Sequence, residues 1–489
     1  MFLRTSSLIA ALLVSASYAH ALEGKALLDK FVAQAAENGR TISWENLTEQ
    51  DSSSFALTGV SITQDNGERV DIKNVVVRGL READGRISYD SVAFVDLKSD
   101  SEKGGKLSIK GIASADADVP FGIWEDGLTA EEKRQRIKFG NFTINGVSIS
   151  NQGVDLSLDV IAMTNADLPL DFRYAPEQIE NAVGEPAAPA TFDQLAVTGL
   201  KGSNQGVKFG MASLSLANAH IPTSLNATMY DWMKIYSSAS INGITASLGD
   251  TPVFGIGTIA GTITPPDEDG TIAGVSEISG LMVNLKAIPD PNTQAIAQQL
   301  GYEKIEGSLT GKSKYNPSTG DVSATDTILK LDNMLDLAFD YSFSGYTAEI
   351  AQKLAQAQIK ADASKNPMEV YGSMMGELSS VKLKSLKIGL TDRSLTGKLL
   401  DFQAKQMGTT GDQLAAGAPM MIGLGMGGLG MPELTEKVTS AVGKFLKDKG
   451  TLTVEAAPSE PVSIVNLFVA GQSDPRQLPG MVNLQITAD

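Results

Sequence analysis

The octapeptide Phe55-Ala-Leu57-Thr-Gly59-Val60-Ser-Ile62 returns, nearly letter for letter, as Phe142-Thr-Ile144-Asn-Gly146-Val147-Ser-Ile149. In each copy the apolar residues alternate as on a β-strand and then slip by one position at the glycine. The same slip stands at Leu195, Val197, Gly199, Leu200 and at Ile241, Gly243, Ile244, Ala246. Side chains on a strand alternate faces with a period of two. A one-residue slip would therefore turn the second half outward unless the backbone absorbs the extra residue. A β-bulge with glycine in the left-handed conformation does this. A two-residue hairpin at Asn145-Gly146 and Asn242-Gly243 would account for the slip equally well. New turn signals follow at once, however, at Asp65-Asn66-Gly67 and Asn151-Gln152-Gly153. Hairpins at both places would leave strands of about four residues, short for a sheet. The bulge is preferred, with positive φ expected at Gly59, Gly146, Gly199 and Gly243 inside continuous strands. A looser aliphatic-x-Gly-aliphatic pattern at Gly79, Gly111, Gly255, Gly274 and Gly280 is too irregular for a solenoid of fixed period. The expected fold class is β-rich (α+β): long curved antiparallel sheets of repeated strand–bulge–hairpin units, with several packing helices.

The first 21 residues carry Arg4, an apolar run from Leu8 to Val14 and the small-residue end Ala19-His20-Ala21. This is the pattern of a signal peptide cleaved before Leu22, and the run is short of the ~20 apolar residues of a membrane span. Cleavage would leave 468 of the 489 residues, more than one core can serve, so two or more packed units are expected. A helix over 24–39 carries Leu27, Leu28, Phe31, Val32 and Ala35 on one stripe. With the strands up to 180 it forms a first region. Residues 181–190 read as a linker, 191–346 as a second β region, and 347–489 as a helix-rich region with closing strands. Shorter helices are expected over 129–136, 224–237, 289–300, 347–362 and 367–378. The clearest helix spans 432–448, started by Pro432 and stopped by Gly450.

The formal charge of −17 becomes −18 without Arg4, which repels nucleic-acid phosphates; no nucleic-acid partner is expected. Without cysteine there is no disulfide, thiol nucleophile or cysteine-ligated zinc. Aromatic residues at 6% and an ending in Asp489 do not fit an aromatic-girdled membrane barrel.

No motif carries chemistry. Gly423-Leu-Gly425-Met-Gly427-Gly428 matches a dinucleotide fingerprint in letters but lacks a preceding strand. Ser379-Ser-Val-Lys382 lacks the companion motifs of a serine acyl-enzyme. Asp267-Glu-Asp269-Gly270 lacks the first and twelfth ligands of a calcium loop. His220 has no carboxylate within five residues. No catalytic residue, cofactor or metal is expected. The stretch from Gln413 to Pro432 has no charge and carries Met420, Met421, Met426 and Met431. It reads as a connector packed over the sheet, or as an apolar surface for a ligand or membrane. Lys382, Lys384, Lys387 and Arg393 form a cationic strip, either an anion contact or a solvated face guarding a sheet edge.

The early helix, the strand pairs carrying L-x-G-V-x-I, and the stretch LGYEKIEGSLTGKSKYNPSTGDV at 300–322 together resemble the AsmA-like and YdgA-like periplasmic proteins of Gram-negative envelopes. The resemblance implies curved sheets with an apolar groove and a part in lipid traffic and outer-membrane upkeep. AsmA-like proteins usually keep a membrane anchor, whereas Ala19-His20-Ala21 points to release. The expectation is a soluble, non-enzymatic periplasmic protein whose apolar surface meets lipid or an envelope partner, with no membrane span after cleavage. An exported structural or adhesive scaffold is the alternative, and an unrecognised hydrolase the third.

Overall fold

The computed structural model describes residues 24–37, 39–65, 67–100, 105–120, 135–169, 189–221, 235–363, 374–428 and 430–489. The signal peptide lies outside these residues, as do most of the 181–190 linker and of the helices expected over 129–136 and 224–237. The chain divides into two compact units, Met1–Leu225 with Lys234–Gly249, and Asn226–Met233 with Asp250–Asp489. Both are strand-rich, and every described strand pair is antiparallel.

The first unit opens with helix α1 (Gly24–Glu37), followed by β1 (Arg40–Ser43), β2 (Asn46–Asp51), β3 (Ser54–Gln64), β4 (Arg69–Arg78), β5 (Arg81–Ala83), β6 (Arg86–Asp100), β7 (Lys106–Pro120), β8 (Arg136–Asn151), β9 (Val154–Pro169), β10 (Ala190–Asn204), β11 (Val207–Ile221) and β12 (Ser238–Leu248). The strands run as a meander: β3, joined by β1 and β2, pairs with β4, β4 with β6, and each later strand with the next. β9 pairs with β10, so the sheet runs unbroken past the expected linker. The tight turns follow local chemistry. Asp84 and Gly85 take φ of 53° and 70°, and Gln152 and Gly153 take 49° and 83°, the left-handed pair of a two-residue hairpin.

Helix α1 turns Leu27, Leu28, Phe31 and Ala35 onto the sheet and buries them with the apolar residues of β3 to β7. Each large side chain of that stripe contributes about 1.5–3 kcal/mol. Lys30 Nζ donates to buried Glu82 of β5 at 3.1 Å, which fixes the helix in rotation. At the strand ends Arg86 Nε donates to Asp118 (2.7 Å) and its Nη2 to the Arg136 carbonyl (2.9 Å). Arg136 in turn bonds Asp167 and the Pro189 carbonyl, so two arginines stitch together β6 through β10.

Tyr89 of β6 is buried, with its hydroxyl 3.1 Å from Ser114 Oγ. Burial raises its pKa above the ordinary tyrosine value, against a smaller lowering by Ser114. A raised folded-state pKa means stability that is complete below the unfolded value of about 10 and lost as pH rises through the folded one. The stability of wild type against urea will therefore fall above about pH 10, and that of Tyr89→Phe will fall less over the same interval.

The second unit contains β13 (Thr251–Ile263), β14 (Ile272–Asn284), α2 (Pro291–Leu300), β15 (Lys304–Asn316), β16 (Asp321–Leu331), β17 (Leu335–Ser344), α3 (Ala348–Ala363), β18 (Lys382–Asp392), α4 (Leu395–Met407), α5 (Gly411–Gly427), α6 (Pro432–Asp448), β19 (Thr451–Ala456), β20 (Val462–Ser463), α7 (Ile464–Ser473), α8 (Leu478–Met481) and β21 (Leu484–Ala488). β13 to β18 form a second meander, extended by β19 and β20 on β18 and by β21 on β19. Helix α2 is capped by Asp290, whose carboxylate accepts from Thr293 N at 2.9 Å. Helix α6 spans the residues expected of it, with Ala441 and Phe445 buried.

The connector expected between Gln413 and Pro432 is instead helix α5. Thr410 and Gln413 form a capping box that nucleates it. Its glycines oppose a helix by about 1 kcal/mol each, so packing supplies what propensity does not. Pro419 and Gly423 of α5 meet Gly443 and Thr439 of α6: a Cβ added at Gly443 would lie 2.8 Å from Pro419 Cγ, and one at Gly423 would lie 3.7 Å from Thr439 Cγ2. The small residues thus permit close approach of two antiparallel helices.

Candidate functional site

Gly59, Gly146, Gly199 and Gly243 have φ of 62°, 63°, 68° and 66° inside β3, β8, β10 and β12. The pairing around them corrects the expected mechanism. A bulge sets two residues against one, yet the register is the same on both sides of each glycine. Asn145 pairs with Val160 and Val147 with Leu158 around Gly146. Thr198 pairs with Ser213 and Leu200 with Met211 around Gly199. The neighbouring strand carries a matching slip at the same level, so the extra residue is shared by the whole row. We call this a crease. Along it left-handed residues alternate with extended ones, from Gly59 through Asp96, Gly146 and Gly199 to Gly243; the extended partners Lys110, Asp159 and Ala212 lie over Gly146, Gly199 and Gly243, and Glu45 lies over Gly59. A Cβ added at Gly199 would sit 2.0 Å from Asp159 Oδ2.

Six residues further along each strand lies a second crease, with Gly79, Asp116, Asn165 and Asn218 at φ of 64°, 52°, 48° and 49°. Of the looser glycines only Gly79 and Gly280 take positive φ; Gly111, Gly255 and Gly274 do not. In the second unit the register does shift, as between Ile278 and Leu281 of β14 around Gly280, so ordinary bulges occur there.

The creases keep both halves of every strand on one face. Leu57 and Val60 of β3, like Phe94 and Leu97 of β6, lie on opposite sides of a crease and are all buried in one core. Apolar rows therefore cross the strands without a break. One runs Leu57, Val75, Phe94, Ile112, Ile144, Ile161, Val197, Leu214, Ile241, each the direct cross-strand partner of the next. A parallel row runs Phe142, Met163, Leu195, Leu216, Ala239. Within the core that α1 joins, the first row is sealed, from 1% exposure at Leu57 to 8% at Ile112. From Ile144 onward every member is only half-buried. Phe209, whose ring covers Gly202, is 41% exposed. The other face carries short polar groups, with Ser215 Oγ 2.8 Å from Ser240 Oγ and Asn242 Nδ2 donating to Ser213 Oγ at 3.0 Å. From β8 to β12 the sheet therefore presents an open apolar face about 19 Å across, at ~4.8 Å per strand.

In the second unit Met420 and Met421 on α5 are 73% and 69% exposed, and Met426 and Met431 are half-buried or partly so. An open groove of about 560 Å³ runs between α5 and α6, lined by Pro419, Gly423, Gly427, Met431, Thr435 and Thr439. The glycine-rich letters of the dinucleotide fingerprint form the end of α5 and its C-cap Gly428, with no strand leading into them.

The cationic strip does not guard an edge: β18 is flanked by β17 and β19. Lys384, at a register shift in β18, pairs with Asp321 at 3.0 Å, and Arg393 with Asp336 at 2.5 Å. Lys387 stands opposite Asp340 and Glu455, while Lys382 is exposed beside Ser463. Carboxylates thus take up much of the strip's charge.

The acidic turn serves as a hairpin stop. Asp267 and Asp269 both accept from Thr271 N, and the Thr271 hydroxyl bound to Asp269 holds that carboxyl below its ordinary pKa. His220 is exposed on β11, its Nδ1 3.3 Å from the Asn218 carbonyl oxygen. Among the described residues no cluster could hold a metal ion, and no helix is long and apolar enough to cross a membrane.

Residues 328–489 match a family described as "Uncharacterized protein". No curated protein matches the chain. The matched segment begins within β16 and contains the α5–α6 hairpin.

Proposed function

We propose that this is a soluble, non-enzymatic protein of the periplasm that binds the acyl chains of envelope lipid on its apolar sheet face. The observation that carries this reading is the loss of cover along the row from Leu57 to Ile241. The residues remain apolar beyond Ile112, where they are only half-buried. Apolar faces left open on this scale commonly mark a binding surface. The two creases, six residues apart, would let the sheet curl about the strip between them, and its width of about 19 Å suits an extended long-chain acyl group. The pattern of residues 1–21 and the resemblance to AsmA-like proteins support the compartment and the ligand class. A scaffold without ligand would need no apolar face open across five strands.

Native mass spectrometry and solvent extraction of protein purified from its periplasm without detergent test the reading. Wild type will carry phospholipid or lipid A species, and the double variant Ile161→Glu, Leu214→Glu, with unchanged thermal unfolding, will carry little. A clean wild-type mass with an empty extract would defeat the proposal and favour the scaffold.

A further inference from the structure

We propose that helix α5 rests on the surface of a phospholipid bilayer. Its ridge of Met420, Met421 and Leu424, exposed at 73%, 69% and 73%, includes the most exposed large apolar side chains among the described residues. Packing inside the unit does not require them, because α5 meets α6 through Pro419 and Gly423.

Charge selects the occupant. From Gln413 to Pro432, 20 residues pass without an acid or a base. A protein partner is ordinarily met by an apolar centre with a polar rim, and α5 has no charged rim across that stretch. A bilayer asks for an apolar face with cations beside it. The hairpin register places two lysines level with the ends of the ridge. With Gly423 level with Thr439 and Pro419 level with Gly443, Lys437 and Lys444 of α6 stand beyond the two ends of the ridge. Lys444 also bonds the Ala488 carbonyl, Glu436 borders the α5–α6 groove beside Lys437, and Asp412 and Glu433 flank the uncharged stretch. Across 395–450 six lysines face five carboxylates, a balance of +1 in a chain of −17. This segment is therefore less repelled by an anionic lipid surface than the chain as a whole.

The test is flotation of the full protein with vesicles of phosphatidylethanolamine and phosphatidylglycerol, beside the triple variant Met420→Ser, Met421→Ser, Leu424→Ser. Wild type will float, and the variant's bound fraction at limiting lipid will fall at least about tenfold, the loss expected of three apolar contacts. The variant Ile161→Glu, Leu214→Glu will float like wild type, which separates this proposal from acyl-chain binding on the sheet. Absent wild-type flotation, or equal flotation of wild type and triple variant, would overturn it. So would sedimentation showing a dimer that the triple variant abolishes while no form floats, since α5 would then meet a second copy.

Discussion

Phe31→Ala will lower the stability of the first unit by about 3–5 kcal/mol, the usual result of emptying a buried aromatic site. Phe31 is 2% exposed and stands at the centre of the stripe with which α1 closes the rows of β3 to β7. The variant should also bind more of an apolar dye than wild type before it unfolds, because weakening α1 uncovers Leu57, Val75 and Phe94. Urea unfolding followed by circular dichroism, with dye fluorescence in parallel, checks both effects. A loss under about 1 kcal/mol without added dye binding would mean that α1 is not the cover of this face.

The crease at Gly199 gives the second large effect. Gly199→Val will cost about 2–4 kcal/mol, because a β-branched residue must enter the left-handed region while its Cβ meets the Asp159 carboxylate. Gly199→Asn will cost less by at least about 1 kcal/mol, since asparagine tolerates that backbone. The sheet itself supports this expectation: Asn165, Asn218, Asp96 and Asp116 occupy left-handed positions in the two creases. Denaturant midpoints of the two variants decide the matter. Equal losses would assign the cost to crowding against Asp159, and the backbone would not be what requires glycine.

Much of this architecture was legible in the sequence. The parity slips at Gly59, Gly146, Gly199 and Gly243 located the left-handed residues, and the alternation between them located the strands. That the slip is matched across the sheet was not legible, because the matching residue on the next strand is often not a glycine. Lys110 and Asp159 look like ordinary polar strand residues until they are seen lying over Gly146 and Gly199. The spacing of six was the available signal, present as Gly140 and Gly146, and as Asp193 and Gly199. Helix α5 was missed because its glycines and Pro419 argue locally against a helix, and only the facing Gly443 and Thr439 make the close packing rewarding. The strip at Lys382, Lys384, Lys387 and Arg393 was found as a charge pattern, but its neutralisation depends on Asp321 and Asp336, distant in sequence. The open apolar face was present letter by letter in Ile144, Ile161, Val197, Leu214 and Ile241. What no single strand shows is that these residues line up into one row that is no longer buried beyond β7.

The most direct test of acyl-chain binding uses the absence of cysteine, which lets one introduced thiol be labelled cleanly. An environment-sensitive fluorophore is placed at Val197 on the apolar row, or at Ala196 on the opposite face, and each labelled protein is titrated with a long-chain fatty acid. The account predicts a saturable blue shift at Val197 and none at Ala196. An equal response at both positions, or none at either, would contradict it.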